Sequence, residues 1–236
     1  MTKQINLVTN RKGGVGKSFF ATNFVQYLKD RGIAHRAIDS DYENPTLKRF
    51  HPDSDFINLE QRREIDRILI TAETADLVVI DCRAASTDLF IDFFDEVGLA
   101  EVLHAIEARL TVVCPVNHEA DSVEQLRILS GALGNSCRWV VVKNEAHSDA
   151  FKLYETSKTR CHLLETLHAR EIAMPRLHDW LVALLNEHNV AITATLQHPG
   201  FNLLDRQRLK HWQTNFYKQI ETAADLLLPP TPLTVK

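Results

Sequence analysis

Lys12 to Ser18 read Lys-Gly-Gly-Val-Gly-Lys-Ser, an order of residue types suited to wrapping an anion. Gly13, Gly14 and Gly16 carry no Cβ, so the backbone can reach dihedrals closed to other residues and turn its N–H groups inward around a phosphate. Lys17 adds a cation placed to reach β- and γ-phosphates, and Ser18 offers a hydroxyl suited to Mg2+. An apolar run, Ile5-Asn6-Leu7-Val8-Thr9, precedes this loop, and Phe20, Phe24 and Leu28 recur every four positions after it, with Gly32 just beyond Arg31. That pattern predicts a strand, a turn and a helix from Ser18 to Arg31 with a glycine stop. A bound phosphate would then face the positive helix end. The usual G-x-x-x-x-G-K-[ST] form opens with a glycine where this chain has Arg11, so the loop is a variant and Lys12 is its distinguishing mark. The plain alternative, a glycine-rich turn that happens to end in Gly-Lys-Ser, does not account for the strand, the helix and the acidic segments downstream.

Two acidic segments follow. A short strand around Arg36-Ala37-Ile38 leads into Asp39-Ser40-Asp41, and carboxylates two residues apart at a strand end share one face, so both can approach one metal-phosphate centre. Asp76-Leu77-Val78-Val79-Ile80-Asp81 is an apolar run closed by an acid, as expected of a strand buried on both faces of a parallel sheet. Its terminal Asp81 would arrive at the ligand end of the sheet. Leu110 to Val116 and Trp139 to Val142 continue the alternation. The fold class predicted is α/β: a single-domain P-loop NTPase, a mainly parallel sheet flanked by helices.

With these motifs the chain resembles the deviant Walker A ATPases of the ParA/MinD type, whose loop reads Lys-Gly-Gly-x-Gly-Lys-[Ser/Thr]. The resemblance is strongest over the first half. It implies an ATP-sandwiched homodimer in which Lys12 touches the partner's ATP phosphates, sharing charge that two facing triphosphates would concentrate. It implies that Asp39 helps hold the Mg2+ shell, that Asp41 orients the attacking water, and that Asp81 binds Mg2+ through water. Gly13, Gly14, Val15, Gly16, Lys17, Ser18 and Phe19 would surround the nucleotide. Lys143-Asn144 resembles the strand-end asparagine that meets the adenine edge, and Ala173-Met174-Pro175 the stretch lining the base, although an Asn closing a strand is also an ordinary turn former. No Asn-Lys-x-Asp guanine signature occurs, which favours ATP over GTP. Slow hydrolysis stimulated by a small adaptor or activator protein is the further implication.

The chain departs from the family pattern at two places. Many plasmid-partition relatives continue with Pro-Gln after the second Asp, where this chain has Tyr42-Glu43; many follow the third acidic element with a small residue and two prolines, where it has Cys82-Arg83-Ala84-Ala85. Arg83 could face the γ-phosphate or a partner, or point to solvent.

The 236 residues, 44% of them hydrophobic, suffice for one well-buried core, placed at 1–228, with a frayed proline-containing tail at 229–236. Met1-Thr2-Lys3 directly before a strand and the lack of any bilayer-length apolar run predict a cytoplasmic chain. Cys82, Cys114, Cys137 and Cys161 lack C-x-x-C spacing and read as small buried thiols, which argues against the iron-sulfur branches. The eleven histidines form no H-E-x-x-H arrangement, and none is assigned to a metal.

A net charge of −4 confines any DNA contact to a local patch. The last helix, about Leu203 to Leu228, carries one apolar stripe of Leu209, Trp212, Phe216, Ile220, Ala223 and Leu227, expected to lie on the sheet. Arg206, Arg208 and Lys210 lie mainly elsewhere, and are either a solvated face or, as the ParA-like branch suggests, a nonspecific DNA contact. The tail shows no membrane-targeting helix of the MinD kind. The resemblance to compact StbB-like plasmid stability proteins points to positioning of plasmid or DNA cargo, with possible association to the nucleoid. The alternative is an ATP-binding recruiter that positions a conjugation or secretion complex, or a factor at the cell pole, without touching DNA. A small-molecule ligase of the dethiobiotin-synthetase kind gains nothing from a lysine aimed at a neighbour's nucleotide.

Overall fold

Each buried apolar run becomes a strand, and the strands lie side by side in one parallel sheet. The computed structural model describes residues 2–230. Strands β1 (Lys3–Val8), β2 (Arg36–Asp39), β3 (Asp55–Phe56), β4 (Leu77–Asp81), β5 (Ala108–Val116), β6 (Arg138–Asn144) and β7 (Arg170–Met174) take the order β3-β2-β4-β1-β5-β6-β7. Every pairing is parallel. In chain order the sheet grows from β1 first to one side and then, with β5, to the other, which opens a crevice at the carboxyl end of β1. The seven-stranded parallel sheet with helices on both faces is the α/β P-loop architecture expected.

The helices between strands are α1 (Lys17–Asp30), α2 (Thr46–Phe50), α3 (Arg62–Thr74), α4 (Thr87–Val97), α5 (Leu99–Ala105), α6 (Ala120–Leu133), α7 (Lys152–Glu155), α8 (Lys158–Cys161), α9 (Asp179–His188), α10 (Leu203–Thr222) and α11 (Ala224–Leu227). Alternate residues of one strand serve opposite faces: Ile5 and Leu7 join the core under α3 to α6, and Val8 joins the core under α1, α9 and α10. All five residues of β4 are buried, as a central parallel strand demands. Helix α1 stops at Asp30, and Gly32 takes φ +64, the left-handed geometry that ends a helix.

The apolar stripe at the carboxyl end is buried as expected, but the single helix expected from Leu203 to Leu228 is broken at Ala223. The sheet supplies the reason. Asn6 and Thr111 are fully buried polar side chains; Asn6 Nδ2 donates to the Leu227 carbonyl (2.8 Å) and Thr111 Oγ1 to that of Leu226 (2.6 Å). Interrupting the helix turns those carbonyls toward donors that would otherwise lack partners. Of the four thiols, Cys82, Cys114 and Cys137 are buried, but Cys161 at the end of α8 is exposed, contrary to expectation; its side chain lies on the solvent side of a one-turn helix. Within the expected tail, Pro229 and Pro230 follow α11 without regular structure, and 231–236 lie outside the described residues.

Candidate functional site

The glycine loop joins the carboxyl end of β1 to the amino end of α1, the strand-turn-helix geometry predicted. Gly14 and Gly16 adopt φ +73 and +97. At Gly16 space is as restrictive as conformation: a Cβ there would stand 2.5 Å from Asn144 Nδ2 and 2.9 Å from Met174 Cε. Around Gly13 and Gly14 an added Cβ would meet nothing within 4 Å, so the loop is open on that side. Asn144 Nδ2 donates to the Val15 carbonyl (2.9 Å), and Asn144 Oδ1 accepts from Ala146 N–H (3.1 Å). Asn144 thus fastens the loop to the end of β6, in addition to any contact with a base. Beside it, Gly16, Phe19, Asn144, Pro175, Leu177 and Val182 line a cleft of about 270 Å³. The two base-contact candidates, Asn144 and Pro175, are therefore brought together with the loop.

Lys17 is buried, and its Nζ donates to the Lys12 carbonyl at 3.0 Å. Burial lowers its pKa, while the carboxylate of Asp81 opposes that shift. Asp81 is buried at the end of β4 with neither carboxylate oxygen in a hydrogen bond. Burial first, and the neighbouring Asp39 second, push its pKa up to about 8, while the Ser18 hydroxyl and Lys17 act in the opposite sense. Such a pair of unpartnered oxygens calls for a hard cation or a proton.

The Asp39-Ser40-Asp41 segment behaves differently from an open carboxylate pair. Asp39 is buried, and its oxygens accept from the N–H groups of Asp41 (3.0 Å) and Lys48 (2.9 Å), fixing the turn that starts α2. Burial raises its pKa and those backbone bonds lower it. Asp41 Oδ1 accepts from Glu43 and Asn44 N–H groups (3.1 and 3.0 Å), so its carboxylate moves with the 41–44 turn. Among the described residues no trio of His, Cys, Asp or Glu converges as a complete metal cage. The oxygen donors present still suit Mg2+, which takes one or two carboxylates and completes its shell with phosphate and water oxygens.

Lys12 occupies a position the spacing does not predict. Its Nζ lies 3.3 Å from Glu119 Oε2 and 3.4 Å from Asp121 Oδ2, at the amino end of α6. Hydrogen bonding to Glu119 is the first cause of its raised pKa. Glu119 and Asp121 are site residues that sequence reasoning missed, since an acidic residue after a strand is ordinary in any α/β chain. Arg11 pairs with Asp88 at 3.1 Å.

With this geometry the comparison with known proteins is decisive: a family model described as the CobQ/CobB/MinD/ParA nucleotide binding domain matches residues 7–229. The chain belongs to that family. The CobQ/CobB/MinD/ParA match takes in every candidate loop and acidic residue named above. Protein MobD of Acidithiobacillus ferrooxidans is 26% identical over 226 residues, spanning 94% of this chain and 98% of that protein. Among solved structures, MinD from Pyrococcus horikoshii complexed with Mg-ADP superposes with a TM-score of 0.51 at 13% identity, over 90% of this chain and 95% of that one. A Borrelia burgdorferi protein assigned to plasmid partition, bound to AMPPNP, gives 0.51 at 17% identity, over 94% and 100%. At those identities the two structures bear on the fold alone.

Within this CobQ/CobB/MinD/ParA domain the basic residues near the carboxyl end separate into two groups. Arg206 turns back, its Nη2 donating to the His198 carbonyl at 2.9 Å, and is only partly exposed. Arg208 and Lys210 are exposed, and Arg208 joins Arg176, His178 and His211 around a cleft of about 400 Å³ between residues 175–178 and α10. The expected trio of Arg206, Arg208 and Lys210 is therefore not one surface. No helix of the described residues is long and apolar enough to cross a membrane.

Proposed function

We propose that this protein is an ATP-dependent dimerising switch that hydrolyses ATP slowly and positions plasmid or other DNA cargo with a small stimulating partner. The observation that carries the reading is the buried, unpartnered carboxylate of Asp81 beside Ser18 and Lys17, directly under an open glycine loop. Those groups fit a magnesium nucleotide: Ser18, Asp39 and Asp81 would hold Mg2+, and Lys17 would neutralise phosphate charge. Mg2+, when bound, supplies Lewis-acid stabilisation of charge developing on phosphate oxygens. Asn144 and Pro175 would meet the base, with Val15 and Phe19 closing the loop side.

In this reading Asp41 orients water for attack. Lys12 leaves Glu119 and Asp121 and delivers its charge to the triphosphate of a second subunit. The exchange is cheap because the pairing it leaves is solvent-screened, and it ties association to the nucleotide, since a ligand shifts a population only by what it binds better. Membership of a nucleotide binding domain family supports a nucleotide ligand.

Phosphate release and fluorescent-nucleotide titration test the catalytic half. Lys17→Ala should lose ATP binding, and Asp41→Ala should keep binding while losing most turnover. Normal hydrolysis by Asp41→Ala contradicts the role of that carboxylate.

A further inference from the structure

We propose that Arg83 is a positioning residue: with Tyr42 and Glu60 it forms a clasp across three strand-end loops and thereby holds Asp41 in place for hydrolysis. The inference rests on the hydrolysis reading above and assigns to it a residue outside the glycine loop and the acidic motifs. Strands β3, β2 and β4 are sheet neighbours, and the loops after them carry Glu60, Tyr42 and Arg83 in turn. Arg83 Nη1 lies 3.2 Å from Glu60 Oε1, and its guanidinium carbon stands 5.4 Å from the centroid of the Tyr42 ring. Only 20% of the Arg83 side chain is exposed, against 54% of Glu60. A planar guanidinium can satisfy a ring face and a carboxylate at once. Its Nε is buried without a partner, a cost that an arginine extended into solvent would avoid.

Beneath the clasp the same loops are joined by backbone. Ser40 Oγ donates to the Asp81 carbonyl (2.9 Å) and accepts from Arg83 N–H (3.2 Å), and Ser40 N–H reaches that carbonyl at 3.0 Å. Ala85 N–H then donates to the Arg11 carbonyl (3.2 Å), at the entrance of the glycine loop. Asp41 is built into the 41–44 turn through its own carboxylate, and Tyr42 is the side chain of that turn that meets Arg83. Releasing the ring from the guanidinium loosens the turn and the carboxylate with it.

The test uses the full chain with ATP and Mg2+, comparing wild type with Arg83→Ala, Tyr42→Ala, Tyr42→Phe and the double alanine variant. Loss of the clasp should lower turnover about 10- to 100-fold with ATP affinity unchanged, the scale expected when a reacting group is misplaced by about an ångström. Tyr42→Phe, which keeps the ring, should retain turnover, and the double variant should be no slower than either single one because both remove the same contact. Should Arg83→Ala not fold, Glu60→Gln and Tyr42→Ala carry the same comparison. Arg83→Ala at the wild-type rate overturns the clasp while leaving the hydrolysis reading intact. Weakened ATP binding with unchanged turnover overturns it by making Arg83 a phosphate ligand. A wild-type chain that neither binds nor hydrolyses ATP removes the hydrolysis reading, and the clasp with it.

Discussion

Asp81 is the residue on which the site turns, and its burial has a measurable pH signature. Its folded-state pKa, about 8, lies above the ordinary carboxylate value of 3.8. The native chain therefore holds a proton that the unfolded chain releases, and this contribution to stability is present below about pH 4 and lost as pH rises toward 8. Ionisation over the same interval creates the charge a cation needs. Asp81→Asn should thus raise the melting temperature at pH 8, by about 2–4 °C for each kcal/mol of relieved burial, while weakening magnesium-nucleotide binding; a lower melting temperature at pH 8 contradicts this account of the buried charge. At this scale much was legible, because Gly13 to Ser18 and Asp81 announce their chemistry by type and spacing. Glu119 and Asp121 were not legible, since their partner Lys12 lies 109 positions from Asp121 in the chain, and spacing cannot report a contact made by folding.

Strand and helix order followed from apolar periodicity wherever burial was complete, as in β4 and the Leu110 to Val116 stretch of β5. Partly buried elements escaped it. The two-residue β3 and the edge strand β7, with exposed Arg170 and only two of five residues buried, carry too little pattern to distinguish them from loop. The break after α10 was hidden for the opposite reason: the stripe from Leu209 to Leu227 keeps its spacing through Ala223, while the cause of the break lies in β1 and β5. Thr111→Val removes the hydroxyl that reaches the Leu226 carbonyl, and leaving a buried acceptor unpaired should cost about 1–3 kcal/mol in urea unfolding, with the slope unchanged. A variant as stable as wild type would mean that the break has another origin.

Taken whole, the molecule carries a net charge of −4 yet places Arg176 and Arg208 on one cleft, with Lys210 exposed on the same helix as Arg208. If that cleft meets DNA, retention should fall steeply with salt through released counterions. Alanine at all three positions should abolish retention, whereas Arg206→Ala should change it little. Unchanged retention by the triple variant removes the patch, and no retention by wild type at low salt favours a protein-recruiting role. The same cleft shares Pro175 and Leu177 with the one beside the glycine loop, a route by which nucleotide and DNA could be felt in common.

The central claim concerns Lys12 and is tested most directly by particle mass in solution, measured by light scattering without nucleotide, with ADP, and with ATP under conditions that slow hydrolysis. The mass should double with ATP alone, and Lys12→Ala should stay monomeric throughout. A mass that is the same in all three states, or a Lys12→Ala chain that still doubles with ATP, contradicts the cross-subunit lysine and the switch built on it.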